Sequence, residues 1–111
     1  MKTVSIRVQL GLGGPVYWRE TPGFPGKIWS ATQAWGLVDA PSGWTVTHNA
    51  TGFSIGELLG HLTEEQAILA SRAFNADGLD LVGDPFDAAQ FRLLNPDLKY
   101  QLQASFARRC P

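Results

Sequence analysis

Residues 3 to 12 read Thr-Val-Ser-Ile-Arg-Val-Gln-Leu-Gly-Leu, with Val4, Ile6, Val8, Leu10 and Leu12 apolar and each residue between them polar or glycine. An unbroken period of two puts the apolar side chains on one pleated face. The segment 2–12 is therefore expected to be a half-buried strand of an antiparallel sheet, with its other face in solvent. Gly13-Gly14-Pro15 ends the run, and Val16-Tyr17-Trp18-Arg19 returns as a short second strand. Thr21-Pro22-Gly23-Phe24-Pro25-Gly26 has the composition of a turn-rich loop. Residues 27–33 fit two patterns. Ile28, Ala31 and Trp35 have helical spacing, while Lys27-Ile28-Trp29 suits extended backbone equally well.

Alternation resumes from residue 34. Residues 35–39, 44–48 and 53–56 read as three short strands, joined by Ala40-Pro41-Ser42-Gly43 and Asn49-Ala50-Thr51-Gly52. Four-residue loops ending in glycine are common hairpin connections. With four residues in each loop, Trp35 opposes His48, Leu37 opposes Val46 and Asp39 opposes Trp44. Across the second turn His48 opposes Phe53, Thr47 opposes Ser54 and Val46 opposes Ile55. Both pairings put Trp35, Leu37, Trp44, Val46, Phe53 and Ile55 on one face, and Thr45, Thr47 and Ser54 on the other.

The second half has helical spacing. Thr63-Glu64-Glu65-Gln66 is a capping box, in which the Thr63 hydroxyl accepts from the amide of residue 66 and Gln66 reaches back. Ala67, Ala70 and Phe74, with Leu69 and Ala73, form an apolar stripe that ends near Gly78, the expected position after the C-cap. Asp84-Pro85 is expected to open a second helix with Phe86, Ala89 and Leu93 on one face, and Asn95-Pro96 to open a third. Leu98, Leu102, Ser105 and Phe106 define the buried side of that last helix, and Arg108 and Arg109 suit its negative end. The pattern predicts one α+β domain over residues 1–111. Its antiparallel sheet is an N-terminal strand plus a three-stranded meander, with three C-terminal helices packed on one face.

A chain of 111 residues suits one domain. Its 44% hydrophobic and 17% charged content, with four Trp, six Phe and two Tyr, favours a folded chain with aromatic surface to spare for a partner. The formal net charge of -1 gives no field that calls for nucleic acid or a membrane. Lys2, Arg7, Arg19 and Lys27 outnumber Glu20 and Asp39 before residue 57, and acids outnumber bases after it. Cys110, the only cysteine, cannot form an internal disulfide, which points to a reducing compartment. Arg7 and Gln9 interrupt what would be a leader's apolar segment, and no apolar run approaches the roughly 18 residues of a membrane span. The expected location is the cytoplasm, so the glycosylation pattern Asn49-Ala50-Thr51 is read as chance.

Chemistry-bearing residues are few. His48 has no nucleophile or carboxylate in a recognisable spacing, and it reads as packed between Trp35 and Phe53. His61, His48 and Cys110 match no metal-ligand spacing, so neither a metal nor a cofactor is expected. Cys110 sits in a terminal tail, too loose for a nucleophile. Gly11-Leu12-Gly13-Gly14 is followed by Pro15 and aromatics, not by the helix a phosphate cradle needs. Asp77, Asp80, Asp84 and Asp87 miss the calcium-loop spacing and read as a solvated loop. The remaining feature is Tyr17, Trp18, Arg19, Lys27 and Trp29, rings interleaved with cations. This is the candidate partner-binding set, for a protein surface first and for single-stranded nucleic acid second.

Trp44-Thr45-Val46-Thr47-His48, with Thr51-Gly52, Ile55-Gly56 and the helix opening at Thr63, resembles small proteins carried by bacteriophages and plasmids. That group shares a W-x-V-T-H-x-x-T-G hairpin leading into a helix, and the likeness covers roughly residues 44–74. It implies no catalytic residue. It implies a bacterial mobile-element setting, in which small proteins often act by binding a host protein. The functional expectation is a non-enzymatic protein-interaction module, such as a phage- or plasmid-encoded accessory protein acting on a host protein or defence system.

Overall fold

A computed structural model describes residues 2–9, 15–35, 41–55, 62–85 and 87–109. Strands β1 (Lys2–Gln9), β2 (Val16–Phe24), β3 (Trp29–Trp35) and β4 (Pro41–His48) form one antiparallel sheet in the order β1-β2-β3-β4. Helices α1 (Glu64–Ala76), α2 (Ala88–Leu94) and α3 (Leu98–Arg109) follow. The fold is α+β, as the patterning predicts.

The period-two run becomes β1, paired with β2 from Lys2↔Gly23 to Gln9↔Val16. Val4 is buried while Thr3 and Ser5 are exposed, the predicted sidedness. Residues 10–14, at the end of the expected strand and its turn, lie outside the described residues.

The expected loop at 21–26 is a correction, because β2 continues through Pro22 and Gly23 to Phe24. Pro22 is tolerated because β2 has a partner on its second side only from Gly23, which pairs with Thr32. Gly23 in turn is required there: a Cβ would lie 2.4 Å from the Ala31 carbonyl oxygen. The open choice at 27–33 resolves to strand, with Trp29 beginning β3.

The β3–β4 register is a second correction. His48 pairs with Trp29, Val46 with Ala31 and Trp44 with Gln33, six positions earlier than the register expected from a loop at 40–43. Pro41, Ser42 and Gly43 belong to β4, with a bulge between Gln33 and Trp35 that places Ser42 and Gly43 opposite Ala34. Leu37 and Asp39 lie outside the described residues. The second turn has the expected pairing, with the His48 amide donating to Phe53 O at 2.7 Å and the Ile55 amide to Val46 O at 2.9 Å. The strand expected at 53–56 is a correction: among the described residues it is reduced to the isolated bridge of Thr47 with Ser54.

One sheet face joins the helices. Trp29, Ala31, Trp44, Val46, Phe53 and Ile55 share a core with Ala67, Ala70, Ala73 and Phe74 of α1 and with Leu98 and Leu102 of α3. Leu69, expected beside that stripe, is exposed. The opposite face carries Ser30, Thr32, Thr45 and Thr47, and it is buried as well. Thr32 pairs with Thr47 at 2.8 Å, Thr45 with Ser54 at 2.9 Å, and Ser30 donates to Asn49 Oδ1 at 2.6 Å, so none of these hydroxyls loses its hydrogen bond to burial.

The capping box forms as predicted, with Gln66 N donating to Thr63 Oγ1 at 3.1 Å and Thr63 N to Gln66 Oε1 at 3.0 Å. The α2 expectation is corrected. Asp87, not Asp84, caps α2, and Asp84 instead closes a turn by accepting the Asp87 amide at 3.2 Å. Leu93 is 81% exposed and Ala89 is exposed, while Phe91 turns inward onto Phe53 at 5.3 Å between ring centroids. Asn95 caps the C-terminus of α2 and does not open α3. In α3, Leu98, Leu102 and Ser105 are buried, and Arg108 reaches Asp77 at 2.9 Å. Asp77 also accepts from the Ser105 hydroxyl at 2.6 Å, so α3 is tied to the end of α1.

Candidate functional site

The end of α1 determines what surrounds His48. After the C-cap Asp77, Gly78 adopts φ +65°. The Gly78 amide donates to Asn75 O at 3.2 Å and the Leu79 amide to Phe74 O at 3.1 Å, the paired bonds of a Schellman motif. This reversal lays residues 79–81 against the start of β3 and the end of β4. Leu79 O accepts from Trp29 Nε1 at 2.8 Å, and Asp80 Oδ1 lies 2.6 Å from His48 Nε2. On the other side of the ring, His48 Nδ1 lies 2.8 Å from Thr51 Oγ1.

A hydroxyl, an imidazole and a carboxylate are thus in line, a grouping with the components of nucleophilic catalysis. Its surroundings favour a structural clamp. His48 is only 4% exposed and packs edge-on against Trp29 at 5.0 Å. Thr51 Oγ1 is held in the hairpin turn, where it also accepts the Phe53 amide at 3.3 Å. Asp80 Oδ1 accepts the Leu81 amide at 2.8 Å. None of the three residues lines three concavities of about 460, 510 and 400 Å³ on the described part of the surface. The ring is packed against Trp29, where Trp35 had been expected. Asp80 and Thr51 were not legible as its partners. The nearest sequence signal was Gly78, which marks where the chain turns back but not what it meets.

The candidate partner-binding set is divided by the structure. Trp18 is 53% exposed, Tyr17 is exposed and Arg19 is half-buried at the start of β2. Lys27 is exposed, but it lies beyond the other end of the strand, which runs about 20 Å from Trp18 to Phe24 at roughly 3.3 Å per residue. Trp29 is the correction: it is fully buried, stacked edge-on against Phe74 at 5.6 Å, and bonded through its indole to Leu79. It serves the core, not a partner. Sequence reasoning missed another group of exposed apolar side chains, Val82, Leu93, Leu94 and Tyr100, carried by the helical half. Helical spacing places Leu93 on one face with Phe86 and Ala89.

Other candidates stay simple. His61, Phe86 and Cys110 lie outside the described residues. Among the described residues no three His, Cys, Asp or Glu side chains gather as a metal site requires. No helix among them is long and apolar enough to cross a membrane. Compared with known protein families, curated proteins and solved structures, the chain matches none.

Proposed function

We propose that this protein is a small non-enzymatic interaction module that binds another protein through the aromatic surface at the start of β2. The observation that carries the reading is Trp18, held 53% exposed within a regular ladder opposite Arg7. Tryptophan and tyrosine supply large contact area with few rotatable bonds, and they dominate binding energy at protein interfaces. Tyr17 and Arg19, one residue to either side, alternate to the other face of the strand, so Trp18 is the anchor of this surface and Arg7 stands across from it. A cytoplasmic accessory protein of a phage or plasmid, acting on a host protein or defence system, fits this reading and the resemblance of the 44–74 segment.

The burial of Trp29 and the distance of Lys27 break up the ring-and-cation track that single-stranded nucleic acid would follow, which favours the protein partner. The test is capture from a bacterial lysate by the tagged chain, with and without nuclease, alongside Trp18→Ala. A stoichiometric protein retained after nuclease and lost with Trp18→Ala supports the reading. Retention that disappears with nuclease overturns it and assigns the surface to nucleic acid.

A further inference from the structure

Where α2 turns into α3 the surface folds inward into a concavity of about 460 Å³, within the range of ligand-sized pockets. Its apolar lining includes Phe53, Phe91, Leu98 and Tyr100, and its only charged residues are Arg92 and Lys99. None of Tyr17, Trp18 and Arg19 contributes to it. We propose that this concavity is a second binding site, which takes an acidic segment of a partner protein by seating one large apolar side chain against its apolar lining while carboxylates meet Arg92 and Lys99.

Three observations support this occupant. Arg92 and Lys99 are exposed and make no ion pair among the described residues, unlike Arg7, which reaches Asp84, and Arg108, which reaches Asp77. Asn95, the amide on the wall, is fully engaged: it accepts from Val82 N at 2.8 Å and donates to Val82 O at 2.9 Å and Phe91 O at 3.0 Å. The charge within the lining itself is therefore that of the two cations. Tyr100 is 68% exposed at the lip, an aromatic with a hydroxyl of the kind that anchors partner side chains.

Nucleic acid meets the same cations less well. Asp84, Asp87 and Asp97 are exposed and adjoin the lining residues Pro85, Ala88 and Pro96 in the chain. A polyphosphate leaving the concavity would run past these acids, whereas a short peptide can confine its carboxylates to the neighbourhood of Arg92 and Lys99. Two cations also release too few counterions to hold a nucleic-acid strand.

The experiment is a selection from a random dodecapeptide display library on the full chain, followed by anisotropy titration of the enriched peptides. The double variant Arg92→Glu/Lys99→Glu serves as comparison, with its melting temperature checked against the parent. The expected result is enrichment of acidic sequences with an aromatic or large aliphatic residue, bound roughly tenfold more weakly by the charge-reversed chain. Tyr100→Ala should weaken the same peptides, and Trp18→Ala should leave them within about twofold, since it lines no part of the site. Failure to enrich any sequence class, or peptides bound equally by the charge-reversed chain, overturns the proposal and leaves the Trp18 surface untouched. A labelled oligothymidylate that displaces the peptides and binds more tightly overturns it in favour of nucleic acid.

Discussion

Trp18 and Trp29 carry the same indole at opposite extremes of exposure, 53% and 0%. The consequence is a pair of opposed mutational outcomes. Trp29→Ala empties the centre of the core and is expected to destabilise by about 3–5 kcal/mol in urea unfolding. Trp18→Ala is expected to change stability by less than about 0.5 kcal/mol while removing partner capture. Equal losses of stability would contradict the placement of both rings. His48 calls for the same separation of fold from function. His48→Ala removes a buried ring bonded to Thr51 and Asp80, and is expected to cost about 1–3 kcal/mol. Asp80→Ala breaks the same contact from its exposed side and should cost less than about 1 kcal/mol. A His48→Ala chain that keeps full stability but loses an activity would restore the catalytic reading of that cluster. Neither tryptophan's fate was legible locally, because Trp18 and Trp29 each stand in a short extended stretch and only the partners across the sheet distinguish them.

At the scale of elements, turn chemistry was legible where it depends on one residue's backbone or on a reach of three residues. The capping box at Thr63 and the glycine after α1 are both of this kind. Gly78 and Gly52 each have positive φ, +65° and +74°, but their surroundings differ. A Cβ on Gly78 would meet nothing within 4 Å, so Gly78→Ala should cost only the left-handed backbone penalty, about 1–2 kcal/mol. A Cβ on Gly52 would press into the backbone of Arg7, so Gly52→Ala should lower the melting temperature further than Gly78→Ala does. The β1–β2 hairpin carries a pH signature. The Ser5 hydroxyl, and then that of Thr3, hold the Glu20 carboxyl below the usual glutamate range. Because the folded value is lowered, this contribution is complete above the ordinary range and is lost as pH falls through the lowered value. The gap in melting temperature between the parent and Glu20→Gln should close on acidification through that window, and a gap that widens would contradict the assignment. The β3–β4 register was illegible for a definite reason. The true pairing differs from the expected one by six positions, an even shift, and even shifts keep every side chain on its own face. Sidedness therefore agreed with the pattern while the partner did not.

For the molecule as a whole, the sheet, α1 and α3 share one apolar core, so the two halves of the chain are expected to unfold together. Fluorescence, which reports buried Trp29 and Trp44, and far-ultraviolet dichroism, which reports the helices, should give coincident urea midpoints. Separated midpoints would mean that the helices detach from the sheet. By itself the sequence determined the class of the fold, the existence of β1, β4 and α1, the sidedness of the two strands, the 48–53 turn and the caps of α1. These follow from periods and short-range bonds that a chain segment carries wherever it is placed. Only the tertiary structure decided that residues 21–24 extend β2, that Trp29 takes the place beside His48, that Asp80 meets that histidine, and that α2 leaves Leu93 in solvent beside a cation-rimmed hollow. Each of these depends on which distant segment supplies the neighbour, and local pattern carries no record of a partner that sequence separation hides.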